Sequence, residues 1–379
     1  MFDYELLRLI WWALIGVLFI GFAVTDGFDM GVGALLTIIG HDDTERRVMI
    51  NTVAPHWDGN QVWLITGAGA LFAAWPMVYA VAFSGFYIAM MLVLFALYLR
   101  PVGFDYRSKI EDPRWRSAWD WALFVGGFVP PLIIGVAFGN LLQGVPFTFD
   151  EYLRATYHGS FWALLNPFGL LAGIVCVSMF VTQGATWLQM KTEGLLRNKA
   201  EMAALLSSVV FFVAFAGAGW WLLNGFDGYV VKSGLSPEGI SDPRLKQVAV
   251  EAGAWLNNYE LYPITKLFPI LGLALPLLTM VFSKLNRSGL AFFSSSLTVA
   301  MVILTCGASM FPFVMPSSLM PNYSLTMWDA TASQMTLTIM TIAAGIMVPI
   351  VLGYTIWTYK KMFGRLSRTD IEQKSTSLY

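Results

Sequence analysis

Long apolar runs recur from one end of this 379-residue chain to the other, and no other feature restricts its fold so severely. A helix needs about 20 predominantly apolar residues to cross the hydrocarbon core of a bilayer. On that ruler nine spans are expected, at roughly 6–40, 48–75, 78–99, 119–142, 163–190, 200–224, 263–283, 289–312 and 335–359. Backbone N–H and C=O groups in lipid must be satisfied internally, which leaves only helices or closed barrels. The segments here are continuous apolar runs rather than alternations of about ten residues, so a barrel is excluded. The expected fold is an all-α polytopic membrane protein in a single integral membrane domain. Charged residues make up 12% of the chain, about half the share of a soluble domain, in agreement.

Orientation follows from the connections. The segments 41–47, 100–118, 191–199, 284–288 and 360–379 carry 17 of the 23 Lys and Arg residues. The positive-inside rule puts these segments in the cytoplasm, with the C-terminus cytoplasmic and, for nine spans, the N-terminus periplasmic. Residues 226–262 then form a periplasmic loop, too short for a domain of its own. The connection 143–162 reads as an ordinary external loop, and the polar tail 360–379 as cytoplasmic and mobile. Trp11, Trp12, Trp75, Tyr79, Trp162, Trp357 and Tyr359 fall near span ends, where interface belts sit. Cys176 and Cys306 each lie inside an apolar run, which argues against a disulfide framework or a soft-metal site. The net charge of −1 suggests no polyanionic partner, and no nucleic-acid signature is present. The acidic start Met-Phe-Asp-Tyr-Glu lacks the basic region of a signal peptide.

The least filler-like stretch is Ala54-Pro-His-Trp-Asp-Gly-Asn-Gln-Val-Trp63. Ionisable groups at membrane depth are expensive, so they face a bundle interior, a partner subunit or water. His56, Asp58, Asn60 and Gln61, with Asn51 before them, spread over more than one helix face, and Pro55 removes a backbone hydrogen bond. Asp26 and Asp29 share one turn of the first span, beside the small residues Gly27, Gly31 and Gly33. Either they form a site inside the bundle, or the helix leaves the membrane near Thr25 and both carboxylates are solvated. Arg100, Asp105, Arg107, Lys109 and Glu111 are read as snorkelling and topology signals at the end of the third span. Asp120, Gln183, Asp227, Asp329 and Gln334 sit near span ends and individually carry little. Of three histidines only His56 lies within a span, which excludes two or three bis-histidine haems held by this chain alone. Intramembrane Asp and His also suit a proton- or cation-coupled transporter, for which broken helices near the midplane would speak. An assembly scaffold, whose buried polar groups only fix packing, is the third class.

The runs Val24-Thr-Asp-Gly-Phe-Asp-Met-Gly-Val-Gly33, Pro55-His-Trp-Asp-Gly-Asn-Gln-Val-Trp63, Arg100-Pro-Val-Gly-Phe-Asp-Tyr-Arg107, Val136-Ala-Phe-Gly-Asn-Leu-Leu-Gln-Gly-Val-Pro146 and Pro312-Phe-Val-Met-Pro-Ser-Ser318 resemble subunit II of the bacterial cytochrome bd quinol oxidases. The resemblance covers nearly the whole chain, down to the Leu378-Tyr379 ending, and is nearest the proteobacterial bd-I type. It implies a terminal oxidase that oxidises quinol, reduces O2 to water and generates a proton-motive force. It also implies two four-helix bundles plus one peripheral helix. Haems b558, b595 and d would be ligated by the haem-bearing subunit I rather than by this chain, and ubiquinone would be bound here in a structural role. Small single-span accessory subunits, quinol and lipid complete the implied partners. Asp58 becomes the first candidate for a proton path, with Asp26, Asp29 and His56 next, and Arg100 and Asp105 at a cytoplasmic mouth. His56 is expected as a hydrogen-bonded neighbour of Asp58. Trp63 is a candidate for lining the O2 path.

Overall fold

Helix ends fall where local chemistry stops or starts the hydrogen-bond ladder, as the computed structural model, which describes residues 3–373, makes plain. Helix α1, Tyr4–Ile39, is continuous, and α2 follows at Asp43–Val53 after the Asp42 side chain accepts from the Glu45 N–H. The expected second span, 48–75, is not one helix: α2 stops, Ala54–His56 form a turn, and α3 runs Trp57–Ala74. Pro55 has no N–H, and its ring would clash with a carbonyl one turn back, so the ladder closes as a tighter turn from His56 N–H to the Val53 carbonyl at 2.8 Å. The third span also differs, dividing at Phe86 into α4, Pro76–Gly85, and α5, Tyr87–Tyr106. Helix α5 continues past Arg100 and Asp105, which are therefore helical rather than in a loop.

Helix α6, Pro113–Gln143, starts with Pro at its first position behind the Asp112 cap. A β1–β2 hairpin, Phe147–Phe149 with Ala155–Tyr157, and the short α7, Phe161–Leu164, then lead to α8, Pro167–Lys191, and α9, Gly194–Gly225. The connection 226–262 holds a second antiparallel hairpin, β3 Asp227–Ser233 with β4 Gln247–Ala252, and the short α10, Asn257–Leu261. Helices α11, Leu267–Lys284, and α12, Ser288–Met310, follow, then β5 Phe313–Met315 pairs with β6 Leu325–Thr326. Helix α13, Gln334–Lys361, is capped by Ser333, and α14 spans Arg368–Gln373. Among the described residues, eight helices are long and apolar enough to cross a membrane: α1, α5, α6, α8, α9, α11, α12 and α13.

Helices α1, α3, α5 and α6 pack as one four-helix group, and α8, α9, α11 and α12 as a second. Helix α13 lies outside both against α1 and α3, with most of its surface exposed. The two groups meet where α1 passes between α6 and α8, and small residues set the distance. A Cβ on Gly31 would fall on the Phe180 carbonyl oxygen, and one on Gly127 would collide with the Met30 carbonyl. Lipid supplies no hydrophobic drive between helices, so such close approach is what stabilises their crossing.

One end of the molecule is closed by polar contacts that hold 226–262 and the segment before α13 together. The buried Arg8 guanidinium donates to Thr331 at 2.9 Å, the Gly239 carbonyl at 2.9 Å and Ser241 at 3.0 Å. Lys246 pairs with Asp329 at 2.6 Å, and both are buried. Trp11 and Trp75, expected in an interface belt, are only 5% and 1% exposed and belong to the core, whereas Trp162 and Trp357 are exposed as a belt requires. At the other end the tail is not loose throughout: the Leu366 N–H donates to the Lys191 carbonyl at 2.8 Å, and Ile371 is buried. The Leu378-Tyr379 ending and the first two residues lie outside the described residues.

Candidate functional site

Asp26 and Asp29 lie within the unbroken α1, past its midpoint, and are 0% and 1% exposed, which removes the reading that both carboxylates are solvated near Thr25. Their counter-charge comes from α5. The Arg100 guanidinium grips Asp26 with both arms, Nη2 to Oδ1 at 2.5 Å and Nη1 to Oδ2 at 3.0 Å, and stands 3.8 Å from Asp29. Arg100 is itself 2% exposed, so the snorkelling reading is wrong for it. Snorkelling needs a span end at the interface, whereas α5 continues beyond Arg100 and turns its side chain into the bundle.

From Asp29 the network passes to two further helices. The Asn60 side-chain amide of α3 donates to Asp29 Oδ2 at 2.8 Å, and the Tyr359 hydroxyl of α13 donates to Asn60 Oδ1 at 2.5 Å. Tyr359 is thus tied into the site rather than standing in an interface belt. Among the described residues Asp29 Oδ1 finds no partner, whereas both oxygens of Asp26 are committed to Arg100. Two carboxylates against one guanidinium is an acid-rich balance in a buried site.

His56 stacks on the Tyr359 ring at 4.3 Å with an interplanar angle of 5°, and meets Trp187 edge-on at 6.3 Å. Trp187 in turn stacks on Phe28 at 4.1 Å. The expected hydrogen bond between His56 and Asp58 is absent among the described residues: His56 is buried, its Nδ1 has no partner, and Asp58 points out. The turn at Ala54–His56 is the reason, because it ends one helix and begins the next between Pro55 and Trp57.

The polar stretch is therefore divided. His56 and Asn60 face the bundle, whereas Asp58 is exposed on the outer surface of α3. Trp57 packs against Phe104 at 5.7 Å, and the residue after each, Asp58 and Asp105, is exposed. On the same two helices Val62, Ile65, Tyr98, Val102 and Tyr106 are also exposed, and so is Lys109 one turn after Asp105. Trp63 is half-buried; its indole fills the space over Gly21, where a Cβ would come within 2.6 Å of it.

A second charged cluster was not anticipated. Asp120, discounted as a span-end residue, is 1% exposed and accepts from Arg107 Nε at 2.5 Å and Arg46 Nη1 at 2.7 Å. Asp43 accepts from Arg107 at 2.9 Å and Arg116 at 2.8 Å. Gln183 is likewise buried, donating to Ser296 at 2.7 Å. The signal available was the pairing of opposite charges across connections, which spacing along one helix cannot display.

Comparison with known proteins agrees with this architecture. Residues 7–362 match the family model described as cytochrome bd terminal oxidase subunit II. The chain is 63% identical to cytochrome bd-I ubiquinol oxidase subunit 2 of Escherichia coli over the whole of both proteins. It is 34% identical to cytochrome bd ubiquinol oxidase subunit 2 of Bacillus subtilis, over 95% of this chain and 97% of that one. The solved structure of bd oxidase from Geobacillus thermodenitrificans superposes with a TM-score of 0.67, covering 95% of this chain and 99% of the matched one at 12% identity, a likeness of fold alone. With a family model spanning almost its full length, the chain belongs to the cytochrome bd terminal oxidase subunit II family.

Proposed function

We propose that this chain is the non-haem-ligating subunit of a ubiquinol:O2 oxidoreductase in the bacterial inner membrane, and that it carries part of the proton route to its haem-bearing partner. The observation behind the proton role is that Asp58 and Asp105 are both exposed, each next in sequence to one ring of the Trp57–Phe104 contact. A carboxylate turned to hydrocarbon is expensive, so this face meets a partner subunit or a water path. The buried set behind it divides the work. Arg100 holds Asp26 fixed, while Asp29, with one oxygen on Asn60 and one without a partner among the described residues, is the group able to accept a proton. His56 supports the Tyr359 ring that orients Asn60. Trp63 and the neighbouring Val62 and Ile65 form the apolar border suited to O2.

The donor set does not fit a haem. His41 and His158 are exposed on connections distant in sequence, and His56 is wedged between aromatic rings. This supports assigning haem ligation to subunit I. The orientation with a periplasmic N-terminus rests on the basic segments. They lie together in the fold: Arg368 bonds Asp42, and Lys199 bonds Glu45 at 2.9 Å. The transporter alternative drew only weak support from the polar interruption at Thr25–Asp29, and α1 runs unbroken through it. Structurally bound ubiquinone and small single-span subunits remain part of the proposed complex.

The test is Asp58→Asn in the assembled complex. Quinol-oxidase turnover is expected to fall about tenfold or more while the haem spectrum stays intact. Full turnover would remove Asp58 from the path, and loss of all haem would favour a scaffold role.

A further inference from the structure

Helix α13 is held at its two ends and hardly at all between them. Of its own residues only Leu337, near the start, is buried, and there the Trp11 indole donates to the Leu337 carbonyl at 3.2 Å and to Thr341 at 2.9 Å. From 345 to 357 nearly every residue is exposed. The far end carries Tyr359, whose hydroxyl reaches Asn60 in the buried network. What fixes that end comes from another helix. The Lys191 ammonium, on the last residue of α8, donates at 3.0 Å to the carbonyl of Met362, which caps α13 three residues after Tyr359. A helix leaves its last carbonyls without partners and carries partial negative charge there, so a cation suits the position.

Lys191 is 4% exposed and forms no ion pair among the described residues. A buried ammonium without a carboxylate is costly, and the groups that offset the cost belong largely to this contact. They are the Met362 carbonyl and the ring faces of Trp187 and Phe363, each centred 5.2 Å from Nζ. The segment after α13 closes on the same residue. The Leu366 N–H donates to the Lys191 carbonyl at 2.8 Å, and Leu366 and Ile371 pack into the apolar cluster that contains Phe28, Trp187 and Tyr359. The outer ion pairs, Arg368 with Asp42 and Arg365 with Glu193, are about half exposed and contribute little. Trp187, one turn before Lys191, meets Tyr359 edge-on at 6.4 Å and His56 at 6.3 Å, so the anchor and the site share a side chain.

We propose that Lys191 is a positioning residue: with residues 362–373 it clasps the C-terminal end of α13 to α8 and so holds Tyr359 on Asn60 and against His56. Loss of the clasp frees the end of α13, and Asn60 then loses the bond that orients its amide towards Asp29. The consequence for turnover rests on the proton role proposed above. The clasp itself is read without turnover, so the two fail separately.

The experiment is hydrogen–deuterium exchange of the whole purified complex, read by mass spectrometry on peptides covering 356–362, with an intact haem spectrum certifying assembly. Lys191→Met keeps the apolar stem and removes the ammonium. It should speed exchange there about tenfold, the loss expected for one hydrogen bond to a charged group, and leave the middle of α8 unaltered. Lys191→Arg still offers the carbonyl a cation and should stay within about twofold of wild type. Leu366→Pro removes the N–H given to the Lys191 carbonyl without altering any α8 side chain. It should speed exchange about threefold or more, and it serves if Lys191→Met does not assemble. Tyr359→Phe, made in wild type and in either clasp variant, tests positioning: its own effect should shrink once the clasp is gone, because the ring is already displaced. Wild-type exchange in Lys191→Met and Leu366→Pro overturns the clasp. An undiminished effect of Tyr359→Phe in the clasp variants overturns the positioning of Tyr359. Unaltered turnover alongside faster exchange upholds the clasp and counts against the proton role.

Discussion

Replacing Arg100 by Met tests the central ion pair directly. The substitution conserves much of the side-chain volume and removes a guanidinium that makes two hydrogen bonds to Asp26, at 2.5 and 3.0 Å, from a site where both residues are at most 2% exposed. Asp26 and Asp29 would then share one turn of α1 with no cation between them, since Arg100 also stands 3.8 Å from Asp29. Breaking a buried pair by removing one partner typically costs about 3–5 kcal/mol, because the remaining charge is uncompensated. Against a total stability on the order of 5–15 kcal/mol, that is a large fraction. Arg100→Met with Asp26→Asn removes the orphaned charge as well, so the double variant should be more stable than Arg100→Met alone. A coupling energy of about 2 kcal/mol or more is expected across the cycle. Arg100→Lys should fall between, since a point charge cannot reproduce the two-armed grip. The measurement is unfolding of the purified complex in mixed micelles of increasing denaturing detergent, followed by helical circular dichroism and haem absorbance. A single variant as stable as wild type, or a double variant no better than Arg100→Met, would refute the reasoning.

Two further outcomes follow from the same packing and electrostatics. Gly31→Ala drives a Cβ onto the backbone of α8, which cannot rotate away as a side chain could. A loss of about 3 kcal/mol is expected, read as reduced yield and earlier melting of the complex; an unaltered melting curve would contradict the close crossing. Glu45, in the polar connection, is pushed up by burial, but the Lys199 ammonium at 2.9 Å and the His41 N–H more than offset this and hold its carboxyl below the usual range. A depressed folded-state pKa gives stability that is present above the ordinary glutamate value of about 4.3 and is lost as pH falls through the folded value. Glu45→Gln should therefore flatten the acid limb of the pH–stability curve and leave its slope above neutrality unaltered. An identical acid limb in the variant would exclude Glu45 as a contributor.

The membrane class was legible early because it depends on counts of residue types, since repeated apolar runs cannot remain in water. The polar stretch at 54–63 was legible as an anomaly but not as an arrangement. Treating it as one helix put His56 beside Asp58, whereas the turn at Pro55 sends them to different surroundings. Arg100 and Asp120 were discounted for a related reason. Near a span end, each has an inexpensive explanation in isolation, and only the partner's position reveals the buried pair.

By itself, then, the sequence determined the all-helical membrane class, the side on which basic residues gather and the presence of costly polar groups in the spans. These depend on transfer free energies and helical period, which are properties of composition and local order. The tertiary structure alone decided that Arg100 of α5 neutralises Asp26 of α1, that Asn60 and Tyr359 extend the site to α3 and α13, and that Asp58 and Asp105 face outward. Those outcomes depend on how helices far apart in sequence cross. Glycine contacts between α1, α6 and α8 set those crossings, and the periodicity of any single helix contains no record of them.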